Sequence, residues 1–145
     1  MGAWDVGPFE NDMAADFAHT LDETAPDKRE SLVRSTLGRA VQARDYLESS
    51  EGEKAVAAAA LVAAQCPGGE AISTGYGPKQ ALPAFAGDLR PLAVEALDRV
   101  VAEDSELAEL WDEAHSSPKW QQGIGRLRAV LAPESGPREE APSGV

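Results

Sequence analysis

No stretch limits the fold of this chain as tightly as Glu53 to Gln65, which reads EKAVAAAALVAAQ. A helix that is apolar nearly all round has to be buried all round, so the rest of the chain must supply neighbours on every side. Its small side chains let those neighbours come close. Cys66-Pro67-Gly68-Gly69 then ends it, because Pro and Gly do not continue a helix well. The apolar core of the segment, Ala55 to Ala64, is ten residues long, whereas a membrane-spanning helix needs about 20. Such a helix either sits at the centre of its own domain or forms a dimer; the amount of helical sequence around it favours the first.

The other periodic segments support that reading. A first helix is expected from Asp12 to Leu21 and a second from Asp27 to Leu47, with Leu32, Val33, Leu37, Ala40, Val41 and Leu47 at three- and four-residue spacing; the two are expected to pair antiparallel. Glu48 to Gly52 reads as a break before the central helix. A fourth helix is expected over Pro91 to Glu103. A fifth, capped by Asp104 or Ser105, runs to His115, and a sixth runs from Ser117-Pro118 to Leu131, where Pro suits a first helical position. Gly123 and Gly125 weaken the sixth by about 1 kcal/mol each unless they serve close packing. Pro67 to Asp88 is rich in Gly and Pro, and Ile72, Tyr76, Leu82 and Phe85 offer anchors, so an ordered crossing loop with a short helical turn near Pro83 to Ala86 is expected. The tail after Ala132, PESGPREEAPSGV, lacks the apolar content to order itself. At 145 residues the chain has the size of one domain and buries about 68–70% of its unfolded surface. The expected architecture is a single all-α domain over residues 1–132 with about six helices, followed by a flexible acidic tail over 133–145.

Ahead of the first helix stands MGAWDVGPFENDMAADF. Gly7-Pro8 sets a turn, Asn11 or Asp12 can cap the helix, and Trp4 and Phe9 can anchor the arm to the body. This opening, with Gly2, Ala3, Trp4, Gly7, Phe9, Asn11, Asp12, Ala14 and Asp16, resembles that of domain-of-unknown-function family 4259, and DSELAELW at Asp104 to Trp111 looks familial too. The likeness spans roughly Met1 to Leu131. Asp5 stands where that family usually has Gly; a left-handed backbone there would suit Asp less well than Gly. The resemblance implies a fold and a bacterial setting and brings no activity with it.

Acids outnumber bases 25 to 13, for a net charge of −12. Such a field repels phosphate backbones and anionic membranes and suits a basic protein partner. Residues 1–30 carry eight acids and two bases, while residues 31–66 carry four of each, which marks the N-terminal face as the candidate recognition surface. The plainer account is that acids near a helix start complement its dipole and aid solubility. One cysteine, Cys66, excludes an intramolecular disulfide and a thiolate metal cluster. No basic-then-apolar leader is visible, and Val6 fails the Ser/Thr requirement of a myristoylation start, so a cytoplasmic location is expected.

Asp12, Asp16 and His19 fall at i, i+4 and i+7 on one helix face, where two carboxylates and an imidazole could seat a divalent metal or exchange a proton, with Glu10 or His115 as a fourth ligand. Otherwise Asp12 caps, and Asp16 pairs with His19 or holds the N-terminal arm. Cys66, after an apolar helix and before a proline, reads as an inert thiol. Ser73-Thr74-Gly75-Tyr76-Gly77 lacks the Lys-Ser/Thr ending of a phosphate loop. Trp111, His115 and Trp120 read as stitches between the last two helices; an exposed Trp111 would instead be a contact residue. The function expected is a non-enzymatic interaction protein, monomeric or weakly dimeric. It would use Trp4, Phe9, Asn11, Asp12, Asp16 and Trp111 on a protein partner, in the manner of an immunity protein facing a basic toxin, with no cofactor. The competing classes are a small metal-dependent enzyme or sensor on Asp12, Asp16 and His19, and a self-associating structural protein.

Overall fold

A computed structural model describes residues 12–43, 45–66, 85–102, 104–113 and 117–132, apart from the side chains of Asp12 and Ser117. Within them lie six α-helices: α1 (Asp12–Glu23), α2 (Arg29–Gln42), α3 (Ser49–Ala64), α4 (Leu89–Val100), α5 (Glu106–Glu113) and α6 (Ser117–Leu131), with a 3₁₀ turn at Pro26–Lys28 before α2. The described residues contain no strand, only an isolated parallel bridge between Leu47 and Ser105. The domain is all-α.

The Ala-rich helix is the hub. Eleven of the 16 residues of α3 are buried, including every position from Ala55 to Ala63, and all five other helices pack on it. Alanine makes this possible: Ala57, Ala58 and Ala59 are fully enclosed although they point in three directions around the axis, so neighbours close in from three sides. α2 and α4 form the layer most extensively packed on α3 and on each other. Leu37, Leu89, Leu97 and Val100 fill that layer, and buried Thr36 satisfies its hydroxyl by donating to the Leu32 carbonyl, 2.8 Å away.

The first two helices do not pair as expected. α1 lays Ala14, Phe17, Ala18 and Leu21 into the core against α3, and its link to α2 is made by one buried arginine. Arg29 Nε donates to the carbonyls of Leu21 (3.0 Å) and Thr24 (2.9 Å), and its Nη2 to that of Asp22 (3.3 Å). These carbonyls close α1, where the helix leaves acceptors without intrahelical donors and where positive charge is favoured.

Two boundaries differ from the sequence reading for one shared reason. α2 stops at Gln42 rather than Leu47, and α3 starts at Ser49 rather than Glu53. Leu47 is drawn out of the helical path: its N–H donates to the Asp104 carbonyl and its carbonyl accepts from the Glu106 N–H, both at 2.8 Å. α3 can then begin early, because the Ser49 N–H donates to the Glu106 carboxylate at 2.8 Å. Gly52, read as part of a break, lies inside the first turns of α3 under Leu107, where an added Cβ would sit 3.3 Å from the Leu107 Cβ. Gly123 and Gly125 in α6 face no such approach; a Cβ at Gly125 meets nothing within 4 Å.

α1 runs to Glu23 rather than Leu21, and α4 spans Leu89–Val100 rather than Pro91 to Glu103, while the starts of α5 and α6 match the sequence reading. Ser105 Oγ caps α5 by accepting the Ala108 N–H at 3.3 Å. α6 runs from Ser117 to Leu131. The Gly/Pro-rich loop and its helical turn lie outside the described residues up to position 84, as do the N-terminal arm and the tail. At the loop's exit, the Phe85 N–H donates to Gln65 Oε1 (2.9 Å), the Ala86 N–H donates to Glu30 Oε2 (2.6 Å), and Phe85 packs on the core.

Candidate functional site

Of the residues picked from sequence, Trp4, Phe9, Asn11 and the Asp12 side chain lie outside the described residues, as does His115. Asp16 is exposed on α1. His19 does not turn to Asp16; its Nε2 sits 3.0 Å from Glu23 Oε2, one turn on, in a pair whose side chains are 73% and 68% exposed. The sequence reading ended α1 at Leu21 and so left Glu23 in the linker. Among the described residues no group of three His, Cys, Asp or Glu side chains is placed to hold a metal ion. Cys66 is half-buried and its thiol donates to the Val62 carbonyl at 3.4 Å.

Trp111 is only 8% exposed and Trp120 is buried; their rings stack at a centroid distance of 6.4 Å and an interplanar angle of 19°. They join α5 to α6. With Trp111 turned inward, the outer side of α5 is left to Glu109, Asp112 and Glu113, all exposed. Beside them Tyr46, 45% exposed in the α2–α3 connection, donates its hydroxyl to Glu109 Oε1 at 2.7 Å. That hydrogen bond, with lesser help from desolvation and from the charges of Glu109, Glu106 and Glu113, pushes the phenol up to about 12.

Six of the described arginines are engaged elsewhere. Arg34 forms a two-point pair with Asp88 (2.8 and 3.1 Å), Arg128 with Asp98 (2.8 and 3.3 Å), and Arg39 reaches Glu51 at 3.3 Å. Three more arginines turn to backbone carbonyls: Arg29 as above, Arg90 to Leu131 (3.2 Å), and Arg99 to Ala43 (3.2 Å). Each of these side chains ties one helix or connection to another. An open groove of about 530 Å³ lies between the start of α4 and the end of α6, lined by Gly87, Arg90, Pro91, Val94, Glu95, Leu131 and Ala132. Arg90 is bonded across it to the Leu131 carbonyl, and the other charged side chain that lines it is Glu95.

The model of the family described as "Domain of unknown function (DUF4259)" matches residues 2–123. The chain belongs to the DUF4259 family. The DUF4259 match takes in the N-terminal arm, α1 to α5 and the first half of α6, so Tyr46 and the carboxylates of α5 fall within it. Neither the curated proteins nor the solved structures searched contain a match. Among the described residues of this DUF4259 protein, no helix is long and apolar enough to cross a membrane. Sequence reasoning missed Tyr46 and α5 as neighbours, since Tyr46 and Glu109 are 63 positions apart and tertiary contacts such as the Leu47–Ser105 bridge and the Ser49–Glu106 hydrogen bond bring their segments together.

Proposed function

We propose that this protein is a non-enzymatic interaction module of the bacterial cytosol that binds a basic protein through its surface carboxylates. The observation that supports the reading is where the cations go. Arg29, Arg34, Arg39, Arg90, Arg99 and Arg128 all serve contacts within the domain. None of the described lysines or arginines is bonded to exposed Asp16, Asp112 or Glu113. A chain of net charge −12 in which six of the seven described arginines are taken up in contacts within the domain leaves an anionic surface, and a cationic partner gains most from meeting it. Trp4, Phe9, Asn11 and Asp12, which lie outside the described residues apart from the Asp12 backbone, are proposed together with exposed Asp16 as an N-terminal contribution to partner binding. An immunity-type pairing with a basic toxin is one form such an interaction takes.

The test is affinity capture from native cytosol at near-physiological salt. Wild type is compared with Asp12→Asn/Asp16→Asn and with Asp112→Asn/Glu113→Gln, each checked for folding by circular dichroism. A basic protein held by wild type and lost from either variant supports the reading. Capture of a neutral or acidic partner, held equally by all three, overturns it.

A further inference from the structure

We infer that residues 85–88, which lead into α4, form a salt-sensitive strap with two positions, and that Asp88 selects between them. The inference stands apart from the basic-partner reading. In the position seen, three side chains from the neighbouring helices hold the strap. Gln65 Oε1, at the end of α3, accepts the Phe85 N–H (2.9 Å), and Glu30 Oε2 of α2 accepts the Ala86 N–H (2.6 Å). Arg34, one turn on from Glu30, grips the Asp88 carboxylate at two points (2.8 and 3.1 Å), and its Nη2 lies 3.9 Å from Glu30 Oε2. Among the described residues, no backbone–backbone hydrogen bond ties 85–88 to α2 or α3; the Ala86 and Gly87 carbonyls accept only from Leu89 and Arg90, in the strap's own turn. The joint at Leu47 is of the opposite kind, with two backbone bonds to Asp104 and Glu106. The strap can therefore leave its seat without breaking a helix.

Asp88 supplies the second position. An aspartate just before a helix ordinarily takes an extended backbone and accepts an N–H of the first turn. Asp88 does neither: its φ is −74° and its ψ −8°, it makes no side-chain cap bond, and its carboxylate turns to Arg34. Such a cap draws on the second or third helical N–H, and the third residue of α4 is Pro91, which has none. Only the Arg90 N–H is left, a weaker attraction than the fork of Arg34, so the closed position prevails. The cap remains the destination once Arg34 lets go. Arg34 and Asp88 are 42% and 66% exposed, so dissolved salt screens their attraction. In the open position Asp88 turns extended and caps α4, the Phe85 and Ala86 amides lose their acceptors, and the Phe85 side chain leaves its place against the core.

The test is amide hydrogen exchange with ¹³C chemical shifts on the full-length protein at about 0.05 and about 0.5 M salt, with the buried Leu97 and Val100 of α4 as internal references. Salt is expected to speed exchange at Phe85 and Ala86 about twofold to fivefold while the references hold. Arg34→Ala is expected to do the same at low salt and to move the Asp88 Cα shift from helical towards extended values. The exchanged pair Arg34→Glu/Asp88→Arg is expected to recover most of the protection at Ala86. Phe85 and Ala86 exchange that follows Leu97 and Val100 at both salts would overturn the strap, since the segment would then open only with the whole domain. An Asp88 shift that stays helical in folded Arg34→Ala would overturn the second position. The salt comparison uses the wild type alone, so it decides even where a variant fails to fold.

Discussion

Removing the indole of Trp111 should do more than open a hole. The ring is 8% exposed and stacked on Trp120, so Trp111→Ala loses buried area and a cavity forms; substitutions of this kind typically cost about 3–5 kcal/mol. A domain of this size has about 5–15 kcal/mol in total, so the loss is a large share. At about 2–4 °C per kcal/mol, the melting temperature should fall by about 6–20 °C. α5 has eight residues, too few to hold a helix without tertiary contacts, so the damage should concentrate there. Urea unfolding followed by far-ultraviolet circular dichroism measures the loss, and a cycle with Trp120→Ala isolates the ring–ring contribution. The two single losses should overlap, with a coupling of at least about 0.5–1.5 kcal/mol from the stacked rings. A loss below about 1 kcal/mol for either single variant, or full additivity, would refute the assignment of this pair as the joint between α5 and α6.

Other consequences are as direct. Gly38→Ala should stabilise by about 0.8–1 kcal/mol, because a Cβ there meets nothing within 4 Å in mid-helix, whereas Gly52→Val should destabilise by about 1–3 kcal/mol against Leu107; thermal melts of the two variants should move in opposite directions. Ultraviolet titration should show one phenol with a midpoint near 12, and Tyr46→Phe should abolish that phase. Because the folded value lies above the ordinary 10.0, the stabilisation from this hydrogen bond is complete below pH 10 and is lost as the pH rises toward 12. The Arg34 guanidinium holds the Asp88 carboxyl below its ordinary 3.8, so this pair's contribution is complete above that value and is lost as the pH falls through the lowered one; Asp88→Asn should flatten the acid limb of a stability–pH curve.

The parts of the fold legible in the sequence are those set by local chemistry. AVAAAALVAA has no polar face, and it became the helix that all others touch. Ser105 and the Ser117-Pro118 start were readable because caps act within one turn. The errors fall where distant segments compete with local pattern. Leu47 fits the α2 periodicity, yet two backbone bonds to Asp104 and Glu106 outbid one more helical turn. Gly52 looks like a breaker, yet it provides the space that Leu107 occupies. The candidate site followed the same rule. His19 was legible as sharing a helix face with Asp16, but its partner Glu23 was not, because the helix end was placed two residues early. The contact between Tyr46 and Glu109 could not be seen, since it joins residues 63 positions apart whose segments meet only in the folded chain.

Asp112 and Glu113 belong to an anionic surface on which no described lysine or arginine is bonded to either of them. Melting temperature measured across a salt series from about 0.01 to about 0.5 M, for wild type and Asp112→Asn/Glu113→Gln, addresses it without knowledge of the partner. Screening should relieve repulsion among these carboxylates, so the wild-type melting temperature should rise with salt, and the variant should start higher and rise less. A wild-type melting temperature that falls with salt, or equal slopes for both proteins, would mean that these charges are already compensated within the domain, and would contradict the account.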